Sequence, residues 1–227
     1  IARSDTSIIF VADYGPLGFS QALVEVDPDG NLGITADLPD PENASIFILP
    51  YDEVVLHRFP NIVRVFSDSF EVLWTHTLQD LFVSTIVRKG VEDLYIGIGA
   101  VAVVPGDGDP TVEFFNSNGV TLDQWVFPDA GSSFLYSIAF LGNGDYRFHG
   151  RLNNQSAALW DVSETGEIVS HVVWDHPSPN GIGVSYAESY SDGSSFFNFS
   201  GDLGGIGPSM ARFDENMDIL WELTGDA

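Results

Sequence analysis

A nine-residue pattern that occurs twice constrains the fold more than any other feature of this sequence. Residues 66–74 read FSDSFEVLW, and residues 213–221 read FDENMDILW. In both copies an aromatic residue ends an apolar run, polar turn residues follow, and an aliphatic pair leads to a Trp eight positions after the aromatic residue. Polar turn residues between two apolar runs predict a β-hairpin.

Weaker copies of the pattern begin at Val26, Phe115 and Val162, so five copies start 40 to 51 residues apart. Self-similarity at this period predicts a repeat architecture. Short apolar runs alternate with Gly, Asp and Asn turns, and no segment keeps a helical period, so an all-β fold is expected. We predict a single domain of five repeats, at residues 1–36, 37–77, 78–128, 129–175 and 176–227.

A four-stranded unit repeated around an axis is the blade of a β-propeller. The first repeat contains only three predicted strands, and the missing one is the first, which is the innermost strand of a blade. The sequence therefore predicts a β-propeller of about five four-stranded blades whose first blade lacks its inner strand. A closed ring, part of a larger ring and stacked blades all remain open at this stage.

The hairpin pattern resembles the blades of quinoprotein-like and arylsulfotransferase-like propellers, which end in an outer hairpin of the type Asp-x-x-Gly-x-x-x-Trp. Trp74 and Trp221 stand at the position of that Trp. The turn glycine is present in three copies and replaced in two, in the order Gly30, Phe70, Gly119, Gly166 and Met217. The resemblance covers the whole chain, and it implies a fold rather than an activity.

The charge balance restricts the partners. Thirty-three acidic residues face eight basic ones, and the formal charge is −25. Such a surface repels nucleic acid and anionic membranes, and no apolar run is long enough for a membrane span. The chain has no Cys, which excludes disulfides, zinc–thiolate sites and thiol catalysis. We expect a glycan or protein partner, no nucleic acid and no membrane insertion.

Three sequons favour a secreted or cell-surface glycoprotein, with acceptors at Asn43, Asn154 and Asn198. All three are expected at or near loops or strand ends. Because the chain opens on Ile1 rather than Met, a processed chain or a fragment of something longer is expected.

Histidine and arginine side chains form the one candidate site. Loops between second and third strands share a propeller face with the connections between blades, and most of the His residues are predicted there. We expect His57, His149 and His176 as candidate catalytic groups and Arg58, His76 and Arg151 as ligand-binding groups, with Asp13 and Asp202 in the 2–3 loops. An anion pocket or acid–base histidines would follow. The resemblance also implies His and Arg at such a face. The alternative is that polar residues simply collect in loops.

A cofactor is not predicted, although calcium remains open. Asp107 and Asp109 stand two positions apart in a Gly-rich loop and could contribute to a weak calcium site. The Asp27–Asn31 turn begins like a calcium loop, but it lacks the distal Glu, so a hairpin turn is favoured there.

These observations favour a non-enzymatic extracellular module for binding or assembly, which presents loops on one face to glycans or proteins. The alternatives are a propeller enzyme of hydrolase, lyase or sulfotransferase type and a propeller domain of a longer multidomain protein. An enzyme requires at least two of His57, His76, His149 and His176 in one pocket. Glycan binding requires exposed aromatic residues beside polar loop residues, and assembly requires exposed apolar patches or open strand edges.

Overall fold

A computed structural model describes most of the chain. For His57 and Arg58 it describes the backbone alone. The described residues are 7–14, 20–38, 44–49, 53–58, 62–67, 69–78, 81–90, 93–101, 109–127, 133–153, 156–177, 183–190, 192–200 and 208–224.

Nineteen β-strands account for the regular structure of these residues, as the alternating sequence predicts. In chain order they are β1 (Ile8–Tyr14), β2 (Ser20–Val26), β3 (Leu32–Asp37), β4 (Ala44–Ile48), β5 (Val54–Arg58), β6 (Ile62–Phe66), β7 (Val72–Thr77), β8 (Leu81–Arg88), β9 (Tyr95–Val101), β10 (Pro110–Phe115), β11 (Thr121–Val126), β12 (Phe134–Phe140), β13 (Tyr146–Leu152), β14 (Ser156–Val162), β15 (Ile168–Trp174), β16 (Gly183–Ser189), β17 (Ser195–Ser200), β18 (Met210–Phe213) and β19 (Ile219–Leu223). Within the described ranges, no helix is long and apolar enough to cross a bilayer.

Each sheet is built from strands that are consecutive in the chain. The first sheet has three strands, β1 to β3, and the other four sheets have four strands each: β4 to β7, β8 to β11, β12 to β15 and β16 to β19. Short turns connect most of the neighbouring strands, which is the arrangement that antiparallel pairing allows.

Five equivalent hairpin turns identify the position of each strand within its sheet. In every one, the side-chain oxygen of the first residue accepts the backbone N–H of the fifth at 2.8 to 3.1 Å. The first residues are Asp27, Ser67, Asn116, Ser163 and Asp214. The turn precedes the last strand of each sheet, so the three strands of the first sheet correspond to strands two, three and four. In the described residues the first strand of that sheet is missing, as predicted.

The chain divides into two compact units. The first contains residues 1–97 and 113–123, and the second contains residues 98–112 and 124–227. In the first unit, Phe66 and Phe70 of the second sheet pack against the first sheet, where Ile9 and Leu23 are fully buried. A separate cluster joins the second sheet to the third, and there Trp74 meets the ring of Tyr95 edge-on at 4.8 Å.

In the second unit, the fourth and fifth sheets pack face to face. Ala157 and Leu159 of β14 contribute to a buried cluster with Phe197 of β17 and Phe213 of β18. Trp174 at the end of β15 packs against Phe213 with ring centroids 5.1 Å apart. Burial of these apolar side chains is the main favourable contribution to the free energy of packing the two sheets together. The gap between these same two sheets also contains a pocket.

Candidate functional site

The pocket lies in the second unit, between the β12–β13 hairpin and the β16–β17 hairpin, and its volume is about 420 Å³. Its lining comprises residues 138–142, Arg147 and His149 from the fourth sheet, with Ser189, Tyr190 and Gly193 from the fifth. Both hairpins connect first and second strands. The pocket therefore lies at the opposite end of the sheets from the 2–3 loops, where the sequence predicts a site.

His149 lies at the buried end of this pocket. It stands in β13, its exposed fraction is 0%, and its neighbours in the ladder are Ser137 and Leu159. Burial, reinforced by the charge of Arg147, lowers the pKa of His149 to about 3, so the imidazole is neutral at physiological pH. Neither ring nitrogen has a hydrogen-bond partner among the described residues. An unpaired buried polar group is costly, which makes this ring a candidate for a ligand contact.

Three serines belong to the strand pairs on either side of the pocket. Ser137 faces His149 across the β12–β13 ladder, so the two side chains share one face of the fourth sheet. Ser137 Oγ lies 3.4 Å from Ser189 Oγ on the fifth sheet. Ser189 is paired in register with Ser195, whose buried Oγ has no partner among the described residues. Of these three serines, Ser189 lines the pocket together with the neutral ring of His149.

Arg147 lies two residues before His149, on the same face of β13. Its guanidinium is bound to the carboxylate of Asp161 by two hydrogen bonds of 2.7 and 2.9 Å. Ser170 donates a third hydrogen bond to that carboxylate. Burial raises the pKa of Asp161, but the hydrogen bonds and charge of Arg147 outweigh it and lower the pKa. Because its fork is occupied, Arg147 does not present an unneutralised charge to the pocket.

Two aromatic residues stand at the rim. Phe140, the last residue of β12, is 45% exposed, and Tyr190, just after β16, is 41% exposed. The guanidinium of Arg212 lies 4.9 Å from the centre of the Tyr190 ring and supports one side of it. The pocket can therefore contact a ligand through ring faces at its mouth and through hydroxyls and an imidazole at its base.

His76 is placed differently from the prediction. It was expected in a connection between sheets, but it belongs to β7, and its side chain is buried. Nε2 lies 2.9 Å from Glu113 Oε1, and Nδ1 lies 3.1 Å from the carbonyl oxygen of Gly119. The prediction of a ligand-binding His76 is not supported by this environment, because both ring nitrogens already have protein partners.

The remaining predicted histidines and arginines occupy separate environments. His57 and Arg58 end β5 as expected, but their side chains lie outside the described residues. His176 follows β15, and its Nε2 lies 2.9 Å from the carbonyl oxygen of Pro208. Arg151 lies in β13, with its guanidinium 5.6 Å from the centre of the Phe134 ring. Of the four histidines proposed to converge, His149 alone lines the described pocket, and it does so from inside a strand rather than a loop.

The metal and glycosylation residues are described only in part. Asp107, Asp202, Asn43 and Asn154 lie outside the described residues, and so does the side chain of Asp13, whose backbone belongs to β1 rather than a loop. The backbone carbonyl of Asp109 accepts a hydrogen bond from Thr111. Among the described residues, no group of three or more His, Cys, Asp or Glu side chains could hold a metal ion.

Asn198 lies within the central strand β17, opposite Tyr186 and Met210, and its side chain is half-buried. It stands two residues before the end of β17, which agrees with the expected position near a strand end. The sequon pattern contains no information about strand register, and the register decides whether the Asn side chain is accessible to solvent.

Sequence reasoning missed the rim residues and Arg147. The signal that could have found Arg147 is its spacing of two from His149 in an alternating strand, which puts both on one face. Phe140 and Tyr190 each come directly before or at the start of a predicted turn, but nothing in the sequence indicates that the two turns face one another.

Comparisons with known proteins show the fold. No protein-family model and no curated protein matches the sequence. A solved structure of a protein of unknown function from Bacteroides caccae is 16% identical, with a TM-score of 0.63, and the match covers 96% of this chain and 78% of that one. The Dos1 propeller is 10% identical, with a TM-score of 0.59, and the match covers 92% of this chain and 56% of that one.

At these identities the likeness shows the architecture alone. Together with the sheet order, it shows that this chain has a β-propeller fold of about five blades.

Proposed function

We propose that this protein is a non-enzymatic extracellular binding module and that it takes a glycan into the pocket beside His149. The observation that carries the proposal is the pair of exposed aromatic rings, Phe140 and Tyr190, at the mouth of a pocket whose base is polar.

The physical chemistry of sugars fits these groups. A pyranose ring has an apolar face of C–H groups that packs on an aromatic ring, and a periphery of hydroxyls that need hydrogen-bond partners. Phe140 and Tyr190 offer the apolar contact, and Ser189 and His149 offer the polar one. A volume of about 420 Å³ lies within the range of pockets for small molecules, so one or two sugar units would fit.

The charges near the pocket favour binding over catalysis. A buried neutral imidazole can act as a base only with a reacting group in reach, and no second histidine lines the described pocket. Arg147 is held by Asp161, so it is not available to stabilise a developing negative charge. An enzyme of hydrolase, lyase or sulfotransferase type therefore finds no support among the described side chains.

Screening on a glycan array, followed by calorimetric titration with the glycans retained, tests the proposal. Phe140→Ala and Tyr190→Ala should each weaken binding by about fivefold, because an aromatic contact contributes on the order of 1 kcal/mol. Tyr186→Ala is the matched control. Tyr186 is 46% exposed in β16, the strand that ends just before Tyr190, but it does not line the pocket. Equal effects of all three substitutions, or no retained glycan, would refute the proposal.

Self-assembly is the second candidate, and strand β19 favours it. All five of its residues are exposed, among them Leu220 at 56% and Trp221 at 45%, and it is the last strand of its sheet. An edge strand with apolar residues on both faces is suited to pairing with the same strand of a second copy about a twofold axis.

Sedimentation analysis of Leu220→Lys tests this second candidate. Leu73→Lys is the control, because Leu73 holds the same place in β7 and is also 56% exposed, while β7 buries His76 on its other face. We expect Leu220→Lys alone to convert a dimer to a monomer. A monomeric wild-type protein would contradict self-assembly and leave glycan binding unaffected.

A further inference from the structure

We infer that the group bound at the base of the pocket is an uncharged pair of neighbouring hydroxyls on a neutral sugar, rather than a carboxylate or sulfate. This inference rests on the proposed glycan-binding function and specifies the class of glycan. Three features of the described residues support it. They are the hydrogen-bonding capacity of His149, the serine hydroxyl beside it in the pocket, and the carboxylates that already neutralise Arg147.

The first observation concerns the ring of His149. A neutral imidazole has one N–H donor and one nitrogen lone pair, and neither has a partner among the described residues. A ligand that satisfies both nitrogens must offer an acceptor and a donor. A hydroxyl is both, whereas a carboxylate or sulfate only accepts. An anion would leave the imidazole lone pair facing negative oxygen atoms, which is repulsive.

The second observation concerns the serine hydroxyls. Ser137 and Ser189 contact each other at 3.4 Å, a long distance for two hydroxyls, and Ser195 has no partner for its buried Oγ among the described residues. Hydroxyl groups rotate to donate or accept as required. The hydroxyl of Ser189, which lines the pocket, can therefore complete the hydrogen bonds of a sugar diol, and it adds no charge.

The third observation concerns the charges that face the pocket. The cation on its lining, Arg147, is bound through both nitrogens of its fork by Asp161. Glu215 of the β18–β19 turn also acts on the charge of Arg147 from the fifth sheet. An anionic ligand would meet two carboxylates around one arginine, in a chain whose formal charge is −25. A neutral ligand avoids this repulsion.

The test is a titration of the full chain, followed by nitrogen-15 NMR of labelled histidine, with methyl glucoside, methyl galactoside and methyl mannoside as neutral probes. Their uronate counterparts serve as anionic probes of the same shape. We expect at least one neutral glycoside to bind, to shift the ring-nitrogen signals of His149, and to bind at least tenfold more tightly than its uronate.

His149→Leu should reduce that affinity by about thirtyfold, since it removes two hydrogen bonds that each contribute on the order of 1 kcal/mol. His149→Gln, whose amide keeps one donor and one acceptor, should retain part of it. Ser189→Ala provides a second variant with a smaller change in volume, should the Leu variant fail to fold as judged by circular dichroism.

The outcomes separate the inference from the function on which it rests. Tighter binding of a uronate that depends on Phe140 and Tyr190 would overturn the inference and keep the glycan-binding function. Binding of a neutral glycoside with unchanged His149 signals, and with unchanged affinity in His149→Leu and Ser189→Ala, would do the same. A lack of binding by every probe and by every glycan on the array would overturn both.

Discussion

Phe70 and Met217 occupy the same position in two hairpin turns, and both have a left-handed backbone, with φ of 60° and 65°. The equivalent position in the other three turns is Gly30, Gly119 or Gly166, also with positive φ. Left-handed φ costs a residue with a side chain about 1–2 kcal/mol. Both side chains are only 4% exposed, so burial of a large apolar group offsets the cost of the backbone conformation.

Phe70→Gly should therefore destabilise the protein, although it relieves the backbone. Removing the buried ring costs roughly 3–5 kcal/mol, and relief of the left-handed strain returns about 1–2, so we expect a net loss of about 2 kcal/mol in the free energy of unfolding. Urea denaturation measures it. A variant as stable as the parent chain would mean that the ring does not stabilise the contact with Ile9 and Val54 in its cluster.

Two turn glycines provide a matched pair for a second experiment. Both have positive φ, but a Cβ on Gly166 would meet the ring of Trp125 at 2.9 Å, while a Cβ on Gly30 would have nothing within 4 Å. We expect Gly30→Ala to cost about 1 kcal/mol for the backbone, and Gly166→Ala to cost about 1–3 kcal/mol more for the steric conflict. Thermal unfolding and near-ultraviolet circular dichroism of the tryptophans report both effects. Equal losses would show that the ring of Trp125 moves aside freely.

The buried pair of His76 and Glu113 is expected to be strongly coupled. Nδ1 of His76 lies 3.1 Å from the carbonyl oxygen of Gly119, and Nε2 lies 2.9 Å from Glu113 Oε1, which also accepts a hydrogen bond from the hydroxyl of Thr121. His76→Phe keeps the stack of rings on Phe115, which has a centroid distance of 4.6 Å, but it removes the contact of Glu113 with the imidazole.

We expect His76→Phe or Glu113→Leu alone to cost about 3–5 kcal/mol, since each leaves a buried polar group without its main partner. The double variant should cost clearly less than the sum of the two, by 1 kcal/mol or more. Denaturant unfolding of the four proteins completes the cycle. Additive losses would contradict the coupling.

Stability should decrease on mild acidification because of His149. The pKa of this residue is about 3 in the folded protein, whereas the ordinary pKa of histidine, 6.5, applies in the unfolded chain, so the unfolded chain binds more protons between these limits. The free energy of unfolding is therefore constant above about pH 6.5 and decreases as the pH falls towards 3. At pH 5 we expect a loss of about 2 kcal/mol relative to pH 7.5.

His149→Phe should remove most of this pH dependence, and urea unfolding at the two pH values measures it. The lowered pKa of Asp161 acts in the same direction, but only below its ordinary value of 3.8, so pH 5 isolates the histidine. An equal loss in His149→Phe would assign the effect to another group.

The turns show how far local sequence reaches. The pattern at residues 66–74 and 213–221 predicted hairpins because the determinants are neighbours in the chain: a capping oxygen at the first position, a backbone N–H four residues later, and apolar runs on either side. The three strands of the first sheet were predicted by counting the apolar runs of the first repeat. The left-handed position of Phe70 was visible as the place of a missing glycine.

The environments of the candidate site histidines could not be predicted from local sequence. His76 and His149 were assigned to the loop-rich face because His149 was expected at the end of a second strand and His76 in a connection between blades, but both are buried in strands. Which residue lies opposite His149 depends on the register of β13 with β12, and what covers it depends on the packing of β16 and β17. Neither follows from the composition of the strand itself.

The sequence alone therefore determined the hairpins, the repeat and the all-β class, since these depend on contacts between residues a few positions apart. Tertiary structure decided that Phe140 and Tyr190, which come from separate sheets, line one pocket. It also decided that Asp161 neutralises the charge of Arg147 in the lining of that pocket. The physical reason is that burial and pairing depend on which faces of two sheets meet, and a single strand carries no information about its neighbour across the core.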